Sequence, residues 1–345
     1  MADYNLDSAD LKEALEGGII NESVMQRIID ISDFPLPFTD LCGNGGKVGN
    51  SYHEWTEDKL SQPGLDNAQV DGANLGGNNA RPGTRMGNHC QISTKIVAVS
   101  TRARNSDVIG QSDSLSYNVM QRLKELRRDV ERMSISWNAS QADDGSTIPG
   151  YSAGFGSFLT SNVDRGALGA NGGFGATTPT IIDAPTDGTN RALSETTVRD
   201  VSQSVYQNGG DPTVMMMQPA VKRLFSEYLY TDEARVAVLD QDVGNAAEQA
   251  TAKGAVDVYL SDFSILKLTP NRLQPGTPVN FGSCAYLIDP EQVEQVFLHG
   301  YRTEAQGKGG LSDVKQMLVD WSLRVGTELA HGCIADIDPN APAVA

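Results

Sequence analysis

The strongest periodic signal in the chain opens at Ser112 and Asp113. Leu115, Val119, Leu123, Leu126, Val130, Met133 and Trp137 follow at alternating four- and three-residue steps, which is the spacing of one face of an α-helix. This stripe predicts a helix of about 26 residues, roughly 39 Å long at the helical rise. The opposite face carries Arg122, Lys124, Glu125, Arg127, Arg128, Asp129, Glu131 and Arg132. Arg127–Glu131 and Asp129–Arg132 stand at helical neighbour spacing, which fits either a solvated face or salt bridges to another subunit.

A period of two takes over elsewhere. Val319, Trp321, Leu323, Val325, Thr327 and Leu329 point one way and Asp320, Ser322, Arg324, Gly326 and Glu328 the other, predicting a strand with one buried face. Residues 46–101 read as a long hairpin, with one arm over 52–60 and the other, rich in Ile92, Ile96, Val97 and Val99, over 89–101. Between the arms lie Pro63-Gly64, Gly76-Gly77-Asn78-Asn79 and Pro82-Gly83, which is turn chemistry throughout. An arm of about 10 residues extends roughly 33 Å. A lone two-stranded ribbon is marginal in water, so a ribbon of this length implies an external partner.

Residues 193–290 pattern as a compact α/β lobe. Ser194 is placed to cap a helix carrying Val198, Val201 and Val205, with Leu193 and Val198 positioned as a hydrophobic staple, and Gly209-Gly210 stops it. Val214-Met215-Met216-Met217 reads as a packed core strand, with a sticky surface as the other option. Pro219 starts a further helix with Leu224, Phe225, Tyr228 and Leu229. Residues 256–260 and 263–269 form a tight hairpin around Ser261-Asp262.

The remaining segments are less regular. Residues 1–45 read as an arm of two short helices, capped by Ser8 and Asn21, followed by an extended Phe34-Pro35-Leu36-Pro37-Phe38. Helices this short do not stand alone, so they must lie on their own body or a neighbour. Residues 140–192 are rich in Gly, Thr and Asn with no sustained period. So long a loop is expected on an interface or a solvent face. Ala341-Pro342-Ala343 closes as a loose tail, and no internal repeat is found.

Composition narrows the function classes. With 345 residues and a formal net charge of −17, the chain repels DNA on average, whereas proteins that grip nucleic acid present a basic footprint. Enclosing DNA without reading its sequence remains compatible with this charge. No apolar run approaches the roughly 20 residues that span a bilayer. The acidic, polar Met1-Ala2-Asp3-Tyr4-Asn5 lacks the layout of a signal peptide, so a cytoplasmic start is expected. Cys42, Cys90, Cys284 and Cys333 form no C-x-x-C pair, which points to free, mostly buried thiols with neither a zinc nor a redox motif.

Catalytic motifs were weighed and set aside. Gly150-Tyr151-Ser152-Ala153-Gly154 matches the G-x-S-x-G nucleophile elbow, but that elbow needs a strand before the serine and a helix after it. Neither flanking sequence fits. Gly46-Lys47 resembles the end of a phosphate loop, yet Leu41 and Val48 occupy positions where glycine and Ser or Thr are required. His53, His89, His299 and His331 are scattered. Asp143-Asp144 and Asp240-Gln241-Asp242 read as solvated loop charge. The sequence therefore assigns no catalytic, cofactor-binding or metal residue and implies no cofactor.

The order of segments then carries a resemblance. His53-Glu54-Trp55 and Asn88-His89-Cys90-Gln91-Ile92 look like the ribbon arms of one large phage capsid family, and residues 123–131 like its long helix. Asn208-Gly209-Gly210-Asp211-Pro212, residues 256–263 and Thr269-Pro270-Asn271-Arg272 are similar to its lobe, and residues 323–332 to its closing strand. Together these cover about two thirds of the chain. The sequence thus resembles tailed-bacteriophage major capsid proteins with the HK97-type fold, an α+β architecture.

The resemblance implies an N-terminal arm (1–45), an E-loop hairpin (46–101) and a P-domain spine helix (102–150). A Gly-rich loop region (151–192), an A-domain (193–290) and a C-terminal P-domain strand and tail (291–345) follow. It also implies self-assembly into hexamers and pentamers of an icosahedral shell around double-stranded DNA. A separate scaffolding protein, a portal and optionally a decoration protein are the implied partners, with no membrane. Some members of the wider fold cross-link Lys to Asn; Lys59 and Lys95 lie in the ribbon, but nothing in the sequence establishes a cross-link. The alternatives are an encapsulin-like nanocompartment shell, a G-x-S-x-G serine hydrolase, and a tail-tube or adhesion protein.

Overall fold

The computed structural model describes residues 35–342, apart from positions 62, 66–67, 73–82, 107, 109, 111–112, 176–179, 229–256, 275–282 and 308–309. The two arm helices, the ribbon tip at 76–79, Asp240-Gln241-Asp242 and the last three residues fall outside the described residues.

The described chain opens on helix α1 (Pro37–Leu41), strand β1 (Gly43–Lys47) and strands β2 (Tyr52–Glu57) and β3 (Thr84–His89). Strand β4 (Gln91–Ser100), helix α2 (Thr101–Asn105) and the long helix α3 (Ser114–Ser134) follow. Then come a single turn, α4 (Phe155–Phe158), and two-residue strands β5 (Val163–Asp164), β6 (Gly173–Phe174) and β7 (Ile182–Asp183). The next lobe holds α5 (Glu195–Gln207), β8 (Val214–Met217), α6 (Pro219–Tyr228), β9 (Val258–Leu260), β10 (Ile265–Pro270) and β11 (Ser283–Ile288). Strands β12 (Val293–Gln306), β13 (Ser312–Val325) and β14 (Gly332–Ile337) complete it. Two larger sheets organise these elements, one in the order β1-β12-β13-β4 and the other β5-β14-β11-β8-β10-β9, beside the two-stranded pairs β2-β3 and β6-β7.

The long helix forms where the apolar stripe places it but is shorter than expected, 21 residues ending at Ser134, so Trp137 lies beyond it in the central core. Asp113 caps it by accepting from the Leu115 backbone N–H at 3.2 Å, satisfying one of the donors a helix start leaves open. Leu115, Leu126 and Val130 bury against Val97 and Val99 of β4 and Met317, Val319 and Trp321 of β13. The charged face departs from expectation. Neither Arg127–Glu131 nor Asp129–Arg132 forms an ion pair among the described residues. Instead Arg127 lies over the Tyr301 ring, and Asp129 pairs with Lys95 of β4 at 2.7 Å. Glu131 is wholly buried, because α1 crosses the last turn of the helix from more than ninety residues away, a contact no helical period can reveal.

The ribbon is shorter than its sequence reading. β2 pairs antiparallel with β3, from Tyr52↔His89 to Glu57↔Thr84, about 20 Å of paired length at the strand rise. The arm expected over 89–101 is corrected: after Cys90 the chain enters β4, which pairs with β13 from Trp321↔Gln91 to Ser312↔Ser100. Val97 and Val99 need a core to cover them, and the long helix supplies it.

Three further corrections concern the strands. Val319 to Val325 form a strand as expected, but both of its faces are covered, Asp320 and Ser322 being buried as well as Val319, Trp321 and Leu323, and β13 starts earlier, at Ser312, and stops at Val325. Gly326 turns there, donating its N–H to the Gln292 carbonyl at 2.8 Å, and Thr327 caps a short turn over Glu328–Ala330. Strand β12 was not foreseen, since register shifts on both sides of His299 swap its faces and break the alternation. Glycine-rich β1, the stretch that mimicked a phosphate loop, runs parallel to β12, and a Cβ on Gly45 would sit 2.6 Å from Val296 Cγ1.

Within 193–290 most of the reading survives, although β11, the strand between β8 and β14, was not foreseen. Val214 to Met217 are all buried, and β9 and β10 form the tight hairpin, Leu260 facing Ile265. Leu193 and Val198 share one core cluster, and Gly209 ends α5 at φ +89°. Ser194 holds the cap position without a side-chain bond. The lobe's sheet also recruits β5 and β14 from outside this range.

The Gly-rich region is corrected most. Rather than lying for the most part on a surface, it drives Phe155, Phe158, Leu159 and Ile182 into the central core with Trp55, Trp137, Tyr286, Leu323 and Val325. That cluster draws on both sheets. Its tight fit depends on Gly156, where a Cβ would lie 2.0 Å from Trp137 Cδ1.

Candidate functional site

A two-stranded ribbon must be held at its root, and the root here is built from long-range contacts. The Asn88 side chain is fully buried. Its Nδ2 donates to the Leu323 carbonyl at 2.8 Å and to Ser152 Oγ at 3.1 Å, while its Oδ1 accepts from the Ala153 N–H at 3.0 Å. Trp55 packs on Phe158, ring centroids 6.3 Å apart, and Thr327 donates to Glu57. Tyr52 lies across Gly87, where a Cβ would come within 2.6 Å of the ring.

Beyond the root the described residues find no cover. In residues 58–72 the described side chains are all exposed. Leu60, Leu65 and Val70 leave 93%, 101% and 81% of their surface in solvent. Three large apolar groups left this bare are costly, at about 25 cal/mol per Å² of apolar area, and burial against another surface recovers that energy.

A second apolar surface lies on the sheet. β4 turns Gln91, Val97 and Val99 inward, so Ile92, Thr94, Ile96 and Ala98 face outward. Ile92 and Ile96 are 61% and 57% exposed. A third lies at the edge of the other sheet. Leu260 and Ile265, directly paired across β9 and β10, are mostly exposed, and Phe263 stacks with Tyr206 at 5.3 Å between ring centroids. Among the described residues β9 is the edge strand of its sheet, paired only with β10. Scattered apolar residues are ordinary, but patches like these mark interaction surfaces.

The residues weighed for chemistry are placed otherwise. Ser152 is buried, and its Oγ accepts from Asn88 and from the Leu323 N–H at 3.3 Å. No strand precedes it and no exposed elbow forms, so the G-x-S-x-G serine is part of the ribbon anchor. Asp144 spends its carboxylate on its own loop, accepting from the backbone N–H groups of Ser146, Thr147 and Ile148, each at 2.8 Å. These bonds hold its carboxyl well below the usual range.

The histidines are dispersed. His53 and His89 flank the ribbon root, both with pKa values lowered chiefly by burial. His331 is enclosed in the core, its Nδ1 accepting from the Asp289 N–H at 3.2 Å and its ring edge-on to Phe155; burial pushes its pKa down to about 3. Cys90, Cys284 and Cys333 are buried free thiols and Cys42 is half-buried. Among the described residues no group of His, Cys, Asp and Glu side chains is arranged to hold a metal ion, and no helix is long and apolar enough to cross a membrane.

Sequence reasoning found the ribbon and the β4 strand but missed how Asn88, Ser152 and Leu323 combine. The available signal was the polar Asn88 beside a strand, a residue type that is costly to bury without partners.

Comparison with known proteins follows the same line. The family described as SU10 major capsid protein matches residues 4–338. A protein named major capsid protein from Escherichia phage Phieco32 is 24% identical over 222 residues, which is 57% of this chain and 63% of that relative's length. The chain therefore aligns with somewhat less than two thirds of that relative. Among solved structures, the capsid of a native GTA particle superposes with a TM-score of 0.59 at 12% identity, over 94% of this chain and 98% of that one. The encapsulin SrpI of Synechococcus elongatus PCC 7942 superposes at 0.53 with 11% identity, over 99% of both chains. At such identities these likenesses establish the fold, and it is the HK97-type α+β fold of capsid shells.

Proposed function

Because the chain belongs to the SU10 major capsid protein family, we propose that it assembles with copies of itself into hexamers and pentamers of an icosahedral virion shell enclosing double-stranded DNA. The observation that carries this reading is the pairing of an anchored root with an uncovered extension. Asn88 and Trp55 fix the ribbon to the body, while Leu60, Leu65 and Val70 stand bare. Such an extension is stable when a neighbour covers it, and closed assemblies of identical subunits cover every copy at once.

In this reading 46–101 acts as the E-loop together with the strand that follows it, α3 with β12 and β13 forms the P-domain, and the lobe around β8 and β11 forms the A-domain. The −17 charge suits a wall that contains DNA without binding its sequence. A separate scaffolding protein, a portal and optionally a decoration protein complete the assembly, and the subunit performs no catalysis.

Replacing Leu60 and Leu65 together with Asp tests the reading. These side chains are almost fully exposed in the subunit, so the expected product is a folded subunit that fails to form shells. Shells of normal size and yield from this variant would refute it. The second reading, a compartment shell around cargo enzymes, is favoured only by the encapsulin-like fold; nucleic acid inside native particles distinguishes the two.

A further inference from the structure

Glu131 occupies a position that simple electrostatics disfavours. It lies in the last turn of α3, where the helix dipole presents its negative end, and its side chain is fully buried. Among the described residues it forms no ion pair. A buried carboxylate of this kind costs several kcal/mol unless hydrogen bonds compensate for lost water.

The compensation is specific. Oε1 accepts from the Phe38 backbone N–H at 2.8 Å and from Asn271 Nδ2 at 2.7 Å. Oε2 accepts from the Thr39 backbone N–H at 2.7 Å and from Thr39 Oγ1 at 2.6 Å. Four donors thus converge on one charge, each bond in the short range of charge-assisted pairs. They come from α1 and from the loop just after β10, segments 92 to 140 residues distant in sequence.

The two amide donors at Phe38 and Thr39 are the open N–H groups of the first turn of α1, which begins at Pro37 and has no side-chain cap of its own. A carboxylate there replaces the missing cap. Asn271 is held in turn: its N–H donates to the Met217 carbonyl at 2.8 Å and its Oδ1 accepts from the Leu273 N–H at 2.9 Å.

We infer that Glu131 is a latch: a positioning residue that clamps α1, the end of the long helix and the lobe behind β10 into one unit, so fixing where the N-terminal chain joins the body. Only the consequence for assembly rests on the proposed capsid function, since an arm that reaches a neighbour must leave the body in one direction. The latch itself is a property of the single subunit.

The test is amide hydrogen exchange on the unassembled full-length chain, comparing wild type with Glu131→Gln and Asn271→Ala. A glutamine keeps one acceptor oxygen and turns an NH2 group toward at least one donor. In Glu131→Gln, exchange at Phe38 and Thr39 is expected to accelerate by roughly tenfold or more, with Met216 and Tyr286 unchanged. Asn271→Ala removes the donor to Oε1, together with the acceptor for the Leu273 N–H, but leaves both bonds to Oε2 in place; it is expected to accelerate Phe38 more than Thr39 while the core stays protected.

Unchanged exchange at both amides in Glu131→Gln, or a uniform rise along the chain, would overturn the latch. Should Glu131→Gln fail to fold, the Phe38-over-Thr39 difference in Asn271→Ala decides alone, and its absence overturns the proposal. Shell formation by the wild type is scored separately. Responsive amides without shells would keep the latch and refute the capsid reading, whereas shells with unresponsive amides would do the reverse.

Discussion

Asn88 donates its side-chain amide to the backbone carbonyl of Leu323 at 2.8 Å, tying the base of the ribbon to the C-terminal end of β13 across 235 residues of sequence. The same side chain accepts from Ala153, so one buried amide joins three segments. Asn88→Ala leaves the Leu323 carbonyl and the Ala153 N–H without these partners in a dry core. The expected loss is about 2–3 kcal/mol of stability, measured from urea midpoints. A loss below about 0.5 kcal/mol would show that the anchor is dispensable.

Ser152 belongs to that anchor. Ser152→Ala removes an acceptor for Asn88 and for the Leu323 N–H, but Asn88 keeps its bond to Leu323. A smaller loss is expected, about 1 kcal/mol, seen as a lowered urea midpoint. Ester hydrolysis assayed in parallel is expected at background for both proteins, and a serine-dependent activity in the wild type would contradict the structural role.

Gly156 leaves room for an aromatic contact. The Trp137 indole N–H donates to the Tyr286 hydroxyl directly beside it, and a Cβ at 156 would lie 2.5 Å from that hydroxyl as well as 2.0 Å from the indole. Gly156→Ala is therefore expected to cost about 3 kcal/mol through overpacking. Near-UV circular dichroism and the thermal midpoint check this, and a variant matching wild type in both would show that the core yields easily.

His331 gives the chain an acid sensitivity with a definite sign. Its pKa is about 3 in the folded protein, against about 6.5 in an unfolded chain. Between these values the unfolded state binds the extra proton, so stability falls as pH drops from about 6.5 toward 3, by up to about 1.4 kcal/mol per pH unit. Glutamine can still accept from the Asp289 N–H but does not titrate. In His331→Gln the stability difference between pH 7 and pH 4.5 is expected to shrink by roughly 2–3 kcal/mol. An unchanged difference, measured by urea unfolding, would place the acid sensitivity elsewhere.

The sequence disclosed what its local periods encode. The stripe from Leu115 to Met133 gave the long helix, the alternation from Val319 to Val325 gave β13, and the run from Val214 to Met217 gave a core strand, because burial on one face leaves a repeat in the chain. Contacts between distant segments leave no such repeat. Glu131 looked like one more surface charge until α1 was seen to cross it. β4 passed for a ribbon arm, since alternation declares that a strand has a buried face and not what buries it. Phe155 and Phe158 sit among glycines that hide their period, although those glycines are what lets the aromatic core close. The ribbon's uncovered apolar residues were legible only in part, because exposure is a property of the folded chain.

The account stands on self-association, and electron microscopy of the wild-type protein, co-expressed with its neighbouring genes, measures it most directly. Closed polyhedral shells built from hexameric and pentameric units are the expected result. A chain that remains a compact monomer under those conditions, with Leu60 and Leu65 folded back onto its own body, would contradict it.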